Sequence, residues 1–261
     1  MFGITVVKRP YEDTKMVKSA MESIIPYLKP GDVINIGASV DKWSDIAHSF
    51  AFRLIINHQR YIFGYMSPHK DIHTALYLDK DNLCSVEPPR ACFRHLRDWC
   101  LEELTILRYT KFEFRDEDII AMRDIYKEIW GTKYAISQLL NIMINRIMGY
   151  PNQDKINFFK KGIVCSVGVR TVLEKWRKIY NKNRPPETPK LPKLFRTISN
   201  RISTIEGNHI HSEYFAEERT DGGEPRSGVD IEMTSPAHFA NSSFFDNEFK
   251  LIARFNNGKL I

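Results

Sequence analysis

Hydrophobic and polar positions along the chain predict a protein that mixes helices with short strands. Between residues 12 and 28 apolar side chains recur three and four positions apart, as on one face of an amphipathic helix, and Pro30-Gly31 stops the pattern. Short runs rich in aliphatic and aromatic residues follow, each with the length of a buried strand. These predicted strands are 31–38, 61–66, 73–79, 83–89 and 103–112.

A β-hairpin is expected around the acidic turn at 79–82, because this turn joins the predicted strands 73–79 and 83–89. Pro88-Pro89 is expected to end regular pairing after the second of them, since proline has no backbone N–H to donate. The sequence therefore places a two-stranded unit in the first half of the chain.

The helical period returns in the second half. Residues 116–130 open with three acidic side chains, which favour a helix N-terminus. Further helices are predicted at 134–148 and 166–180, and Cys165 directly precedes the last of these. The aromatic-rich tail at 231–261 is expected to pack on the core.

Residues 181–230 differ in composition from the rest of the chain. Six basic groups stand against one acid in 181–201, and seven acids stand against two basic groups in 206–230. We interpret 181–230 as a charged, proline-rich insertion or long loop, either a solvated excursion or a docking arm. The whole chain, 1–261, is assigned to a single domain that contains this insertion.

The composition excludes several classes of protein. With 43% hydrophobic and 27% charged residues, the chain is neither disordered nor fibrous. A net charge of +6 does not single out nucleic acid, so no nucleic-acid partner is predicted. The four irregularly spaced cysteines indicate reduced thiols. Neither a signal sequence nor a transmembrane helix is expected, which favours a cytoplasmic protein unless another factor delivers it elsewhere.

Cys165 is the first candidate for chemistry. The amides of a following helix would point at its sulfur and favour the thiolate, and the same amides could hold an oxyanion. The chain has no glycine-rich phosphate loop, and its His and Cys spacings form no metal-ligand motif. We therefore predict thiol chemistry that needs neither a metal nor a cofactor.

His73 is the candidate partner of this thiol, because it begins an apolar strand where an imidazole is unusual. Ser85 and Glu87 share one side of the following strand, so either could orient the ring. Spacing alone leaves open a purely structural role for these residues, since a buried cysteine and a strand histidine are common core residues.

Five segments resemble the circularly permuted branch of the NlpC-type papain-like cysteine hydrolases, the YiiX/YebB-like group. GDVINIGA at 31–38 is similar to the family's opening strand, and HTALYLDKDNLCSVEPP at 73–89 resembles its His-containing hairpin. GTKYAISQ at 131–138 and IVCSVGVRTVLEKW at 163–176 resemble its Gly-x-x-Tyr segment and its nucleophile helix. TSPAHFANSSFF at 234–245 is similar to a closing segment of the group.

The resemblance implies an α+β, permuted papain-like fold with an antiparallel, partly closed sheet packed against helices that include the nucleophile helix. It makes Cys165 the nucleophile and His73 the general base and acid. Their order in the chain matches the permuted topology. Ser85 aligns without gaps with the family's polar orienting residue, yet we favour Glu87 because a carboxylate stabilises imidazolium better than a hydroxyl does.

The implied function is hydrolysis of an amide or ester through an acyl-enzyme. Cell-wall peptides such as those of peptidoglycan are one expected substrate class. Lipid or acyl-amide substrates, for hydrolysis or acyl transfer as in relatives of lecithin:retinol acyltransferase, are the alternative. A further hypothesis is a catalytically silent binding module that docks through the charged insertion. The oligomeric state stays open.

Overall fold

The computed structural model describes residues 15–37, 55–56, 59, 71–79, 82–88, 90–135, 163–195, 234–241 and 247–261. Its helices are α1 (Lys15–Ile24), α2 (Asp116–Ile129), α3 (Cys165–Asn183) and α4 (Pro236–Ala240), with 3-10 turns at Ile25–Tyr27 and Leu96–Asp98. Its strands are β1 (Val33–Gly37), β2 (Asp71–Asp79), β3 (Asn82–Glu87), β4 (Arg90–His95), β5 (Glu103–Tyr109), β6 (Phe249–Asn256) and β7 (Lys259–Leu260).

All described strands join one antiparallel sheet in the order β4-β3-β2-β1-β5-β6-β7. The short strand β1 pairs with β2 on one side and β5 on the other, and its Ile36 lies opposite both His73 and Leu104. The protein is therefore of the predicted α+β class, with helices packed on an antiparallel sheet.

Each face of the sheet carries its own hydrophobic core, because successive side chains of a strand point to opposite faces. We call the two the α3 face and the α1 face. The α3 face includes Val33, Leu76, Leu78 and Val86 and packs against α2, α3 and α4. The α1 face includes Ile34, Ala75, Tyr77 and Leu83 and packs against α1 and the turn at Leu96–Asp98.

Helix α3 lies close to the sheet because its buried residues repeat at helical spacing and one of them is a glycine. Val169, Val172, Leu173 and Trp176 belong to the core of the α3 face. A Cβ atom added at Gly168 would lie only 2.5 Å from a methyl carbon of Val86 on β3. Gly168 thus permits a helix-to-strand approach that a side chain would prevent.

The chain that leaves α3 is tied back to this helix by buried polar groups. Glu174 accepts hydrogen bonds from the Leu194 amide and from Arg177, which itself donates to the Leu191 carbonyl. Leu194 and Phe195 are buried in the core. Residues 191–195 of the charged insertion are therefore packed on α3, whereas most residues of 182–190 are exposed and 196–230 lies outside the described residues.

Most predicted elements are confirmed. The opening helix, the hairpin of β2 and β3, the strand β5 and helices α2 and α3 form where they were expected. Phe249 and Phe255 of the tail are buried, as predicted. The predicted strand 61–66 and almost all of the predicted helix 134–148 lie outside the described residues.

Strand β3 ends at Glu87, directly before Pro88, as expected, but the strand β4 that follows was not predicted. β4 follows at once and pairs with β3 from Glu87 opposite Arg90 to Asn82 opposite His95. Pro88 lies in the turn between these strands. Proline there interrupts no ladder, because a turn residue has no strand partner to which it must donate.

The contact between Gly168 and Val86 gives a stability prediction. Replacing Gly168 with Ala improves helix propensity by about 1 kcal/mol but overpacks the α3 face by about 1–3 kcal/mol. In a Val86→Ala background the overpacking is relieved, so Gly168→Ala should be at least about 1 kcal/mol more favourable there than in the wild type. Urea unfolding of the four proteins measures this coupling, and additive effects would show that the helix does not rest on Val86.

Candidate active site

Cys165 is the first residue of α3, and its side chain is 2% exposed. Val164 precedes it in extended conformation and caps the helix. The amides of Cys165 and Ser166 in the first helical turn, and the amide of Thr74 from β2, all donate towards the sulfur. Backbone N–H groups of helix α3 and of strand β2 thus both point towards the Cys165 thiol.

The Thr74 amide is available to the sulfur because of the way β2 pairs. Tyr77 directs its N–H and C=O at β1, where the Asp32 carbonyl and the Gly31 amide meet them. Since this direction alternates along a strand, the Thr74 amide points towards β3. The ladder between β2 and β3 ends at Ala75 and Ser85, so Thr74 lies just beyond it. This amide is one of the groups that lower the pKa of Cys165.

Burial controls the ionisation of the Cys165 thiol. It raises the pKa of Cys165 to about 11, although the amides of Thr74, Ser166 and Cys165 and the Ser166 hydroxyl each lower that pKa. The free energy needed to remove a thiolate from water exceeds the stabilisation that these fixed dipoles provide. The helix-terminal amides thus favour the thiolate, as expected, but burial outweighs them, and the thiol is neutral in this closed geometry.

His73 is buried on β2 and held on two sides. Its Nε2 lies 2.8 Å from the Ser85 hydroxyl oxygen, and its ring stacks on Trp99 with 5.4 Å between ring centroids. Burial, assisted by the positive charge of Arg94, lowers the pKa of His73 to about 3. The imidazole is therefore neutral in this environment across the physiological range.

The imidazole and the sulfur approach the end of the β2–β3 ladder from different sides. His73 alternates with Thr74 and shares the α1 face with Ala75, whereas α3 covers the opposite face. The contact of Cys165 with the Thr74 amide nevertheless places the sulfur against the peptide that joins His73 to Thr74. Within the described residues, the hydrogen bond of the His73 ring goes to Ser85 and none joins it to Cys165.

The structure brings Ser85, and not Glu87, to the imidazole. Glu87 is 2% exposed, and its Oε1 accepts from the Arg94 guanidinium and from the Cys92 thiol at 3.7 Å. A charged guanidinium is a stronger partner for a carboxylate than a neutral imidazole is, which explains the pairing. Ser85 is itself supported by α2, because the Tyr126 hydroxyl lies 2.6 Å from its carbonyl oxygen.

Three further residues of the site were not singled out from the sequence: Trp99, Arg94 and Tyr134. Trp99 follows a 3-10 turn whose position no periodic pattern indicates. Arg94 lies on β4, the strand that was not predicted. The pKa of Tyr134 is raised chiefly by burial and further by the nearby Cys165 and Glu87. The Gly-x-x-Tyr segment contained a signal for Tyr134, but its spacing from Cys165 could not show that the two groups influence each other.

No three His, Cys, Asp or Glu side chains gather as a metal site in the part of the chain that the structure describes. In the same part, no helix has the length and apolar character needed to cross a membrane. A comparison of the sequence with protein-family models gives no match, and a comparison with curated proteins gives none either.

The buried thiol gives a pH prediction. With a pKa of about 11 for Cys165, the thiolate fraction and hence the rate of alkylation by iodoacetamide should rise about tenfold per pH unit between pH 7 and 9. Peptide mapping by mass spectrometry isolates the rate at Cys165 from those at the other cysteines. A rate that is already flat at pH 7 would contradict the account, because it would indicate a preformed thiolate.

Proposed function

We propose that this chain is a cysteine hydrolase with a circularly permuted NlpC-type fold. In this proposal Cys165 is the nucleophile, His73 is the general base and acid, and Ser85 orients the imidazole. The observation that carries the proposal is the contact between the Cys165 sulfur and the Thr74 amide, because it brings a helix-terminal thiol to the peptide that follows His73. The order of the His hairpin and the Cys helix supports the same family.

The proposed reaction begins as the Cys165 sulfur attacks a carbonyl carbon and forms a C–S bond. The thiol proton passes to Nδ1 of His73, since Nε2 faces Ser85. The amides of Cys165 and Ser166 would hold the oxyanion, and the imidazolium would give its proton to the leaving amine or alcohol. Water, deprotonated by His73, then releases the acid and restores the thiol.

The resting pair must change before this reaction can proceed. A thiol with a pKa of about 11 does not transfer its proton to an imidazole with a pKa of about 3. Both values arise mainly from burial, so hydration of the site or a polar substrate group beside it would move them towards each other. We therefore propose that substrate binding, rather than the free protein, creates the reactive pair.

Amide and ester carbonyls both fit this chemistry. Cell-wall peptides and acyl lipids remain the two proposed substrate classes, and neither requires a cofactor. Purified peptidoglycan and acyl-lipid vesicles can be incubated with the protein to distinguish them, because the first would release new amino groups and the second fatty acids.

The burial of Cys165 and His73 favours a second candidate function. A protein that had lost catalysis would tolerate a deeply buried thiol and a neutral imidazole, and could bind a partner through its charged insertion. Because 191–195 is packed against α3, a docking segment would use the exposed residues before Leu191 or the chain beyond Phe195. Absence of turnover in the intact protein on both substrate classes would favour this function.

The hydrolase proposal predicts a graded series of variants. Cys165→Ala and His73→Ala should each lower turnover of the accepted substrate by at least about 10³-fold. Ser85→Ala should lower it about five- to tenfold, since it removes one neutral hydrogen bond to the ring.

Cys100→Ala is the matched control, because Cys100 is a buried thiol in the core of the α1 face and should leave turnover unchanged. Circular dichroism confirms that each variant is folded. Unchanged turnover in Cys165→Ala would refute the proposal.

A further inference from the structure

Asn35 of β1 is fully buried, and its side-chain amide is hydrogen-bonded through its oxygen and through its nitrogen. Oδ1 accepts from the Thr74 hydroxyl at 2.9 Å, and Nδ2 donates to the Asp71 carboxylate at 3.0 Å and to the Pro236 carbonyl at 2.8 Å. Because a carbonyl oxygen can only accept, Pro236 also determines which side of the amide carries the nitrogen. The amide therefore has one orientation, and it connects two strands to the start of α4.

The backbone ladder is interrupted on both sides of His73 and Thr74. With β3 the ladder ends one residue away, at Ala75, and with β1 its register shifts directly beyond His73. A register shift locally disrupts the regular backbone pairing, so pairing alone holds this end of β2 less firmly than the rest of the strand. The Thr74 hydroxyl supplies a further contact at this point, because Asn35 lies directly opposite it in β1.

The segment 234–237, which accepts a hydrogen bond from Asn35, is itself bonded to the start of α3. The Ser166 hydroxyl donates to the Thr234 carbonyl at 2.6 Å, and the buried Arg170 guanidinium donates to the Thr234 hydroxyl at 2.8 Å. Ser166 is the residue directly after the proposed nucleophile. The segment 234–237 is therefore anchored to the helix terminus that carries the thiol.

Gln59 bonds the same segment to β2 at a second point. Its Oε1 accepts from the Ala237 amide at 2.7 Å, and its Nε2 donates to the Asp71 carbonyl at 2.8 Å. Two side-chain amides thus connect 234–237 to β2. Of these two, Asn35 is the one that contacts the residue next to the imidazole.

We propose that Asn35 is a positioning residue, which holds the end of β2 that carries His73 in a set place relative to Cys165. This inference rests on the proposed function and deepens it. Hydrogen bonds are directional, whereas apolar packing is not, so these bonds fix the imidazole relative to the sulfur more closely than the two cores could alone. Such precision matters, because a displacement of about 1 Å can slow a reaction about 10²-fold.

A double-mutant cycle with His73 tests this role. The probe is N-acetylglycyl fluoromethyl ketone: the Cys165 sulfur forms a bond to its terminal carbon, fluoride leaves, and the thiol proton passes to His73 and then to buffer. Rates of Cys165 modification are measured by intact mass and peptide mapping. The quantity compared is the factor by which His73→Ala lowers this rate, with Asn35 present and with Asn35 replaced.

In the protein that keeps Asn35, His73→Ala should lower the rate at least about tenfold, because the imidazole accepts the thiol proton. In Asn35→Ala the same change should lower it less than about threefold, since a displaced ring no longer assists the sulfur. Thr74→Val replaces the hydroxyl that bonds to Asn35 with a methyl group and should give the same small factor.

Thr105→Val is the matched control. Thr105 lies opposite Asn35 on its other side, in β5, but within the described residues it makes no hydrogen bond to the Asn35 side chain. The factor measured for His73→Ala should therefore be the same in Thr105→Val as in the wild type. A role of Asn35 in stability alone would lower the folded fraction, which circular dichroism measures, but would leave this factor unchanged.

An unchanged factor in folded Asn35→Ala or in folded Thr74→Val would overturn the positioning role and leave the proposed function standing. If Asn35→Ala does not fold, Thr74→Val decides, because it keeps the size of the side chain. Failure of the proposed function gives a different result, in which His73→Ala does not lower the rate even when Asn35 is present. That result would overturn the positioning role as well.

Discussion

The contact between the Thr74 amide and the Cys165 sulfur is the constraint on which the site depends. It requires that the β2–β3 ladder stop at Ala75 and Ser85, so that an amide of β2 faces the helix terminus. It also requires that α3 approach β3 closely, which Gly168 permits beside Val86. Backbone geometry and the lack of a side chain at Gly168 thus determine where the Cys165 thiol lies. The polar side chains around it influence its chemistry but not its position.

Burial opposes reactivity in this arrangement. The dry surroundings that order the His73 ring between Ser85 and Trp99 also keep it neutral, and they keep the Cys165 thiol protonated. Fixed amides stabilise a thiolate less than water does, so helix-terminal dipoles alone cannot form an ion pair here. The proposed catalytic state is therefore one that a substrate's own polar groups help to create.

The hydrophobic patterns of neighbouring residues predicted the helices and strands, but they did not indicate which residues pair with the buried charges. The hydrophobic alternation of β2 and the helical period of α3 are properties of neighbouring residues, so the sequence was sufficient for both. The choice between Ser85 and Glu87 depended instead on Arg94, which reaches Glu87 from the unpredicted strand β4. Whether the Cys165 thiol ionises depended on how deeply it is buried, and the spacing of residues in the sequence does not indicate burial. The resemblance named Cys165 and His73, and the structure supplied their surroundings.

The claim that sulfur and imidazole form one site is tested most directly by placing a charge at the sulfur position. In Cys165→Asp, a carboxylate within reach of the ring should raise the pKa of His73 by at least about one unit relative to Cys165→Ser, which is neutral and of similar size. The ¹⁵N chemical shifts of the His73 ring, followed against pH by NMR, report this value. The same pKa in both variants would show that the two groups do not meet.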